Sequence, residues 1–141
     1  MTGLTPEIEA KVRASFAAQG LMGTLGAEIV ALEPGLCRIA APIRAETGQQ
    51  QGFAHAGLSF SIGDSAAGYA ALGLMPEEAE VMTSEMRIHL LRPAAGERLE
   101  AEGRVIKPGR RLMVVQADIW AVGETRRHVA MLTGTMVPVS G

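Results

Sequence analysis

The segment best suited to chemistry runs from Gln49 to Asp64 and supplies an amide, an imidazole and a carboxylate. Between them stand Gly52 and the tripeptide His55-Ala56-Gly57, and Asp64 comes nine residues after the histidine. A helix is predicted to begin at Gly57, and the first N–H groups of a helix are unpaired and carry a partial positive charge. Such groups stabilise an oxyanion or a polarised carbonyl. The segment therefore predicts a site for chemistry at a carbonyl group.

Asp64 lies two turns inside the predicted helix, so it does not cap that helix. Its neighbours are small or apolar: Ile62, Gly63, Ser65, Ala66 and Ala67. Burial among them would make the carboxylate costly to ionise and would raise its pKa toward the range useful for a general base. The alternative is that Asp64 lies on a solvent-facing stripe and has only a structural role.

Length and composition indicate one folded domain over residues 1–141. The chain is 48% hydrophobic and 20% charged, and its net charge of −2 argues against a nucleic-acid partner. Cys37 stands alone, so no internal disulfide is expected, and no Cys/His spacing predicts a metal site. A reducing cytoplasm fits best. No leader peptide and no run of about 18 apolar residues is visible, so neither export by that route nor a membrane span is expected.

The order of elements predicts an α+β domain. Thr5-Pro6-Glu7 should start a first helix that ends at Gly20. Pro34-Gly35 should join a hairpin in a type II turn, between strands at 27–33 and 36–42. The polar stretch 43–53 is typical of an irregular loop.

The run Gly57–Leu72 predicts a long central helix, with Leu58, Ile62, Ala66 and Ala70 on one stripe. Its three glycines would each cost an isolated helix up to about 1 kcal/mol, so this helix must be buried closely against a sheet. Four later runs read as strands: Val81–Leu91, Arg98–Lys107, Leu112–Ala121 and His128–Val137. We expect these four to form an antiparallel meander, curved around the helix. Low aromatic content and 17 glycines also predict that the core is completed by oligomerisation.

On these residues the chain resembles the acyl-CoA thioesterases of the hotdog fold, in the phenylacetic-acid-degradation branch with its 4-hydroxybenzoyl-CoA relatives. The family motif has an Asn or Gln, a Gly three positions later, His-Gly-Gly, and an acidic residue nine positions after the His. In this chain those spacings fall on Gln49, Gly52, His55-Ala56-Gly57 and Asp64. Ala56 departs from the motif, but alanine keeps the backbone N–H, so its role survives where the local φ suits a Cβ.

The resemblance implies a hydrolase that splits an acyl-CoA with water into CoA and a carboxylic acid, with no metal and no resident cofactor. Asp64 would be the general base or the nucleophile, and Ala56, beside Gly57, would donate its N–H to the oxyanion. Gln49 would orient water or the carboxylate, and His55 would hold the loop. Thr83 matches a Ser or Thr that assists in some relatives; otherwise it is an ordinary strand threonine.

The resemblance also implies a homodimer with sheets joined edge to edge, often paired into a homotetramer, with active sites between subunits. Lys107, Arg110 and Arg111 surround a strand turn and would hold the phosphates of CoA, unless the turn is simply solvated. Met75 and Met82 are core filler first and candidates for an acyl pocket second. His89, His128 and Cys37 are expected to have structural roles only.

Two alternatives to a thioesterase follow from the same sequence. A hydratase or dehydratase of this fold would pair an Asp and a His five residues apart, which His55 and Asp64 do not do. A non-catalytic acyl-CoA sensor would keep the fold and the pocket, and the presence of Asp64 argues against it only weakly. The identity of the acyl group does not follow from the sequence.

Overall fold

A computed structural model describes residues 3–140 of the chain. The helices are α1 (Pro6–Ala18), α2 (Gly20–Leu25) and α3 (Ala56–Leu72). The strands are β1 (Glu28–Glu33), β2 (Leu36–Pro42), β3 (Ala79–Leu90), β4 (Arg98–Lys107), β5 (Met113–Val122) and β6 (Arg126–Ser140). All six strands form one antiparallel sheet in the order β1-β2-β4-β5-β6-β3, which curves around α3. The α+β hotdog architecture is confirmed.

Helix α3 forms the centre of the core. The whole predicted stripe, Leu58, Ile62, Ala66 and Ala70, is buried. Gly103 of β4 faces this helix, and a Cβ added there would lie 2.3 Å from the carbonyl carbon of Ala66. Helix and strand backbones therefore touch, which only glycine permits at this point. This close packing offsets the low helix propensity of the glycines in α3.

The first hairpin has the predicted form. Gly35 adopts φ +75°, the left-handed conformation that the third residue of a type II turn requires. In β2, Cys37 and Ile39 point inward and are fully buried. Burial raises the pKa of the Cys37 thiol to about 12, so this cysteine is an inert core residue. The predicted loop contains a single 3-10 turn at Ala45–Thr47.

Strand β3 forms one edge of the sheet and contains a bulge. Thr83 pairs with Met136 and Glu85 pairs with Thr135, so Ser84 is an extra residue with no partner across the ladder. The bulge changes the phase of the strand, because Val81 packs on the core before it and Met86 and Ile88 do so after it. Thr83 therefore faces the same side of the sheet as the inward residues that precede the bulge.

Two details of the sequence prediction are wrong. The last four strands are not a meander, because β3 crosses to the far side of β6 while β4 pairs with β2. Residues 91–97, which link β3 to β4, are too many for a tight hairpin and instead span the end of the sheet. Gly20 does not cap α1; Gln19 ends it in an extended conformation, and Gly26, at φ +68°, caps α2.

Candidate functional site

Asp64 lies in the middle of α3 and is half-buried. The Thr83 hydroxyl donates to Asp64 Oδ1 at 2.7 Å and also contacts the sulfur of Met136 at 3.4 Å. Desolvation by burial raises the pKa of the Asp64 carboxyl, and the hydrogen bond from Thr83 opposes that rise in part. The outcome is a carboxylate of increased basicity, held in one orientation by a strand residue 19 positions away.

Asp64 opens onto a cavity of about 260 Å³, which we call the Asp64 cavity. Helices α1 and α3 and strands β3 and β6 line it with Ser15, Gln19, Asp64, Ser65, Gly68, Tyr69, Val81, Thr83 and Met136. Ser15, Gln19 and Tyr69 were not identified from the sequence. Their proximity to Asp64 depends on how α1 docks on α3, which spacing along the chain does not reveal.

The amino terminus of α3 is fixed by His55. This residue is the N-cap, and its Nδ1 accepts a hydrogen bond from the Gly57 N–H at 2.8 Å. The His55 backbone N–H donates to the Thr47 carbonyl at 2.9 Å, which ties the cap to the preceding loop. A Cβ on Gly57 would lie 3.0 Å from His55 Nδ1, so glycine keeps the cap in place.

Ala56 is the first residue of α3 and is exposed. Within residues 3–140, the Ala56 N–H has no hydrogen-bond acceptor, whereas the next N–H, of Gly57, donates to His55 Nδ1. No non-glycine residue in this part of the chain has a positive φ, so alanine is unstrained here. The Ala56 N–H is therefore a free backbone donor at the positive end of the helix.

Gln49 organises the loop before the helix. Its Oε1 accepts hydrogen bonds from the backbone N–H of Gln51 and, at 3.3 Å, from that of Phe53. Gln49 and Ala56 both line a second cavity of about 510 Å³, which we call the Ala56 cavity. Its other walls are Gln51, Phe53, Ala54, His55, Ser59, Leu90, Leu91, Arg92, Pro93, Ala94 and Val129. The amide oxygen thus contributes to loop structure at the edge of this cavity.

The two cavities are separate within one protomer. Asp64 is eight residues beyond Ala56 on the same helix, which corresponds to about 12 Å along the axis. Neither residue lines the other's cavity. A carbonyl bound at the Ala56 N–H of one protomer is therefore out of reach of the Asp64 carboxylate of that same protomer.

The three predicted phosphate ligands lie elsewhere. Lys107, Arg110 and Arg111 are exposed around the β4–β5 connection. Arg110 lines a third cavity, of about 600 Å³, near the carboxyl end of α3, which also contains Met75. Within one protomer they are not brought to Ala56 or Asp64. Met82 is 58% exposed on β3 and lines none of these three cavities.

Arg92 is a cation that the sequence analysis did not identify. It lines the Ala56 cavity, and its Nη1 donates to the His128 carbonyl at 2.8 Å. The side chain of His128 binds Asp118 at 2.9 Å and stacks on Trp120, on the face of the sheet away from α3. Among the described residues, no group of three or more His, Cys, Asp or Glu side chains is arranged to hold a metal ion.

Comparison with known proteins assigns the family. Residues 51–127 match the model of the thioesterase superfamily. A protein of Saccharolobus solfataricus named as an esterase is 33% identical over 113 residues, which cover 80% of this chain and 73% of that protein. The crystal structure of a thioesterase family protein from Silicibacter pomeroyi is 44% identical, with a TM-score of 0.93, and the match covers 95% of this chain and 99% of that one.

A structure of the E. coli PaaI protein from the phenylacetic acid degradation operon has a TM-score of 0.86 at 24% identity. The match covers 98% of this chain and 97% of that one, and at this identity it shows a common fold. No helix among residues 3–140 is long and apolar enough to cross a membrane. The family model, the relatives and the hotdog architecture agree, and the chain belongs to the thioesterase superfamily.

Proposed function

We propose that this protein is an acyl-CoA thioesterase, which hydrolyses an acyl-CoA to CoA and a carboxylic acid. The observation that carries the proposal is the Thr83–Asp64 pair, a half-buried carboxylate with a raised pKa in a chain of this superfamily. The free N–H of Ala56, at the start of α3, adds a donor for the carbonyl oxygen of the thioester.

The complete site would lie between two copies of the chain. Edge strand β3 carries Thr83 and the exposed residues Met82 and Leu90, each 58% accessible. Two such edges would pair in an antiparallel homodimer, which removes an open sheet edge. Because Thr83 is on this strand and Leu90 at its end lines the Ala56 cavity, pairing would bring the Asp64 cavity of one copy toward the Ala56 cavity of the other. Two dimers would form the homotetramer.

In the proposed reaction the Ala56 N–H of one copy binds the thioester oxygen while Asp64 of the other acts on the carbonyl carbon. As a general base, Asp64 takes a proton from water, whose oxygen forms the new C–O bond. As a nucleophile, its carboxylate oxygen forms an anhydride that water then cleaves. In both cases the C–S bond breaks, and the CoA thiolate leaves and is protonated.

Other residues have supporting roles in this proposal. Thr83 orients the carboxylate, His55 and Gly57 set the start of α3, and Gln49 shapes the loop from which the N–H emerges. The phosphates of CoA are assigned to Lys107, Arg110 and Arg111, which this proposal requires to approach the site when two copies pair. The proposed steps use only water, the Asp64 carboxylate and the Ala56 N–H, so they need no metal. CoA arrives as part of the substrate, so no resident cofactor is needed either. The spacing of the motif favours the phenylacetic-acid-degradation branch. The single cysteine, Cys37, is free, and this favours the cytoplasm.

A panel of acyl-CoAs, assayed for release of free thiol, tests the function. The wild type should hydrolyse at least one member, and Asp64→Asn should hydrolyse it at least ~10²-fold more slowly. Asp118→Asn is the matched control, because Asp118 is the only other aspartate and lies on the opposite face of the sheet. It should retain activity at a temperature where thermal melting shows it folded. Saturable binding of acyl-CoA with no thiol release would instead indicate a sensor.

A further inference from the structure

We propose that Tyr69 and Gln19 form a specificity site, which selects short acyl groups that carry a hydroxyl or carbonyl oxygen beyond the thioester. This inference rests on the proposed function, since it places the thioester carbonyl next to Asp64. It adds the chemical class of the acyl group, which neither the superfamily nor the motif determines.

A cluster of polar side chains lines the end of the Asp64 cavity nearest to α1. The Tyr69 hydroxyl accepts a hydrogen bond from Gln19 Nε2 at 2.7 Å and shares another with the Ser15 hydroxyl at 3.1 Å. Ser65 contacts the Gln19 amide at 3.4 Å. Tyr69 is only 3% exposed, so its oxygen is a buried polar group on the wall of a cavity.

The hydrogen-bonding capacity of this cluster is only partly used. Gln19 Oε1 has two lone pairs, and the one donor near it is Ser65 at 3.4 Å, a long distance for an O–H···O bond. Its Nε2 makes one short bond, to Tyr69, and one long contact, to Ser65. A ligand hydroxyl could donate to Gln19 Oε1, and a ligand carbonyl could accept from Nε2 or from the Tyr69 hydroxyl.

The cluster is placed to meet the acyl end of the substrate. Tyr69 is five residues beyond Asp64, about 7.5 Å along the axis of α3. The cavity is lined by Ser15 of α1 as well as by Asp64, and its volume of about 260 Å³ suits a short acyl chain and not the nucleotide of CoA. Gly68 lies between the two residues in the chain, lines the same cavity and has no side chain to occupy it. An acyl group entering past Asp64 therefore ends at Tyr69 and Gln19.

A purely structural role would have a different consequence. The same bonds attach the junction of α1 and α2 to α3, and losing them would weaken that attachment for every substrate equally. A specificity site instead affects only substrates whose acyl group has an oxygen to bind. The ratio of kcat/KM between two acyl groups that differ by one hydroxyl separates the two roles.

The test compares butyryl-CoA with 3-hydroxybutyryl-CoA and 4-hydroxybutyryl-CoA on the wild type and on Tyr69→Phe. The phenyl ring keeps the edge contact with Phe16, where the ring centroids are 6.1 Å apart. We expect the wild type to favour at least one hydroxylated substrate by about three- to tenfold in kcat/KM, the value of one hydrogen bond. In Tyr69→Phe that ratio should fall toward one.

Thr133→Val is the matched control, because it removes one hydroxyl from β6 on the face away from α3 and should leave the ratio unchanged. Gln19→Leu is the second variant, and it should lower the ratio as Tyr69→Phe does. Equal rates for all three substrates in the wild type, or an equal loss for all three in Tyr69→Phe, would overturn the inference while hydrolysis itself stands. Failure to hydrolyse any acyl-CoA of a wider panel would overturn the proposed function, and this inference with it.

Discussion

The Asp64 cavity and the Ala56 cavity use the protein in different ways. In the Asp64 cavity the chemistry comes from side chains, a carboxylate and the hydroxyl that holds it. In the Ala56 cavity it comes from the main chain, a free N–H at the start of a helix. The first depends on residue type at fixed positions, whereas the second depends on where the helix begins. We call the Asp64 cavity the side-chain half of the site and the Ala56 cavity its main-chain half. The two halves should therefore tolerate very different substitutions.

The departure from the family motif at Ala56 illustrates this difference. Alanine in place of glycine adds a methyl group but leaves the donor, and the helical φ accepts it. At Gly57 the same change would press on the His55 ring, 3.0 Å away, and disturb the cap that defines the helix start. A main-chain site thus constrains the residues beside the donor more than the donor residue itself.

Asp64→Asn should have the largest effect in the side-chain half. It keeps the size and an oxygen that can accept from Thr83, but it removes the base. We expect kcat to fall by at least ~10²-fold, with substrate still bound. Single turnover in ¹⁸O-water then tests the nucleophilic role, because water that opens the anhydride at the Asp64 carbonyl places its label in Asp64, whereas base catalysis labels only the released acid. A variant that folds and retains near wild-type kcat would assign Asp64 a structural role.

The pH dependence refines the same prediction. Desolvation raises the pKa of Asp64 above its usual 3.8, so activity should be lost on acidification at a higher pH than an exposed aspartate would give. The stability of the fold should change with pH in the opposite direction to the activity. A raised pKa in the folded state stabilises the fold at low pH, and that contribution is lost as the pH rises through the folded pKa. Asp64→Asn should therefore melt no lower than the wild type at pH 7.

Ala56→Pro should break the main-chain half. Proline has no N–H, suits the first position of a helix, and is compatible with His55 in its extended conformation at ψ 144°. The fold should survive while kcat falls by about 10²- to 10³-fold, the usual cost of one oxyanion donor. Ala56→Ser, which keeps the N–H, is the matched control. Equal activity of the proline variant would show that another group binds the oxyanion.

Mixing the two inactive variants tests whether the halves belong to different copies. In a mixed dimer the Ala56→Pro copy supplies Asp64 and the Asp64→Asn copy supplies the N–H, so one of two sites is intact. Random reassembly should restore about a quarter of wild-type activity. Denaturing and refolding each variant alone is the control. No recovery in a mixture shown by native mass spectrometry to contain mixed dimers would place both halves within one copy.

The smallest effect is expected at the cations. Changing Arg110 and Arg111 to Ala should raise KM for acyl-CoA about three- to tenfold with little change in kcat, since remote phosphate contacts act equally in ground and transition states. The rise should shrink at high salt. Arg92→Gln provides the comparison, because Arg92 lines the Ala56 cavity. If only Arg92→Gln raises KM, the phosphates bind at that cavity instead.

Much of the fold could be predicted because local signals agreed with it. Thr5-Pro6 started α1, Pro34-Gly35 turned the hairpin, and Gly57–Leu72 came within one residue of the observed α3. The order of the strands could not be predicted in the same way. Strand β4 pairs with β2, and β3 pairs with β6. This order depends on how strands distant in sequence pack over α3, and no local sequence pattern indicates it.

The residues of the site also divide into those with a local sequence signal and those brought together by long-range packing. The segment from Gln49 to Asp64 was identified because its residues are close in sequence. Gln19, Tyr69 and Arg92 were missed because their neighbours are distant in sequence: Gln19 is 50 residues from Tyr69, and Arg92 is 36 from His128. That Asp64 and Ala56 each line a cavity of their own is seen only in the structure.

The extra residue in β3 has a consequence for how this chain can change its length. Ser84 is exposed, and its side chain can be replaced with little effect on the core. Deleting it would join Thr83 directly to Glu85, whose partners Met136 and Thr135 are already consecutive on β6. The shortened strand would alternate regularly, with Thr83 and Met86 still on their present face. The bulge is therefore where this strand can lose a residue, whereas deleting Arg87 would turn Ile88 to the opposite face of the sheet.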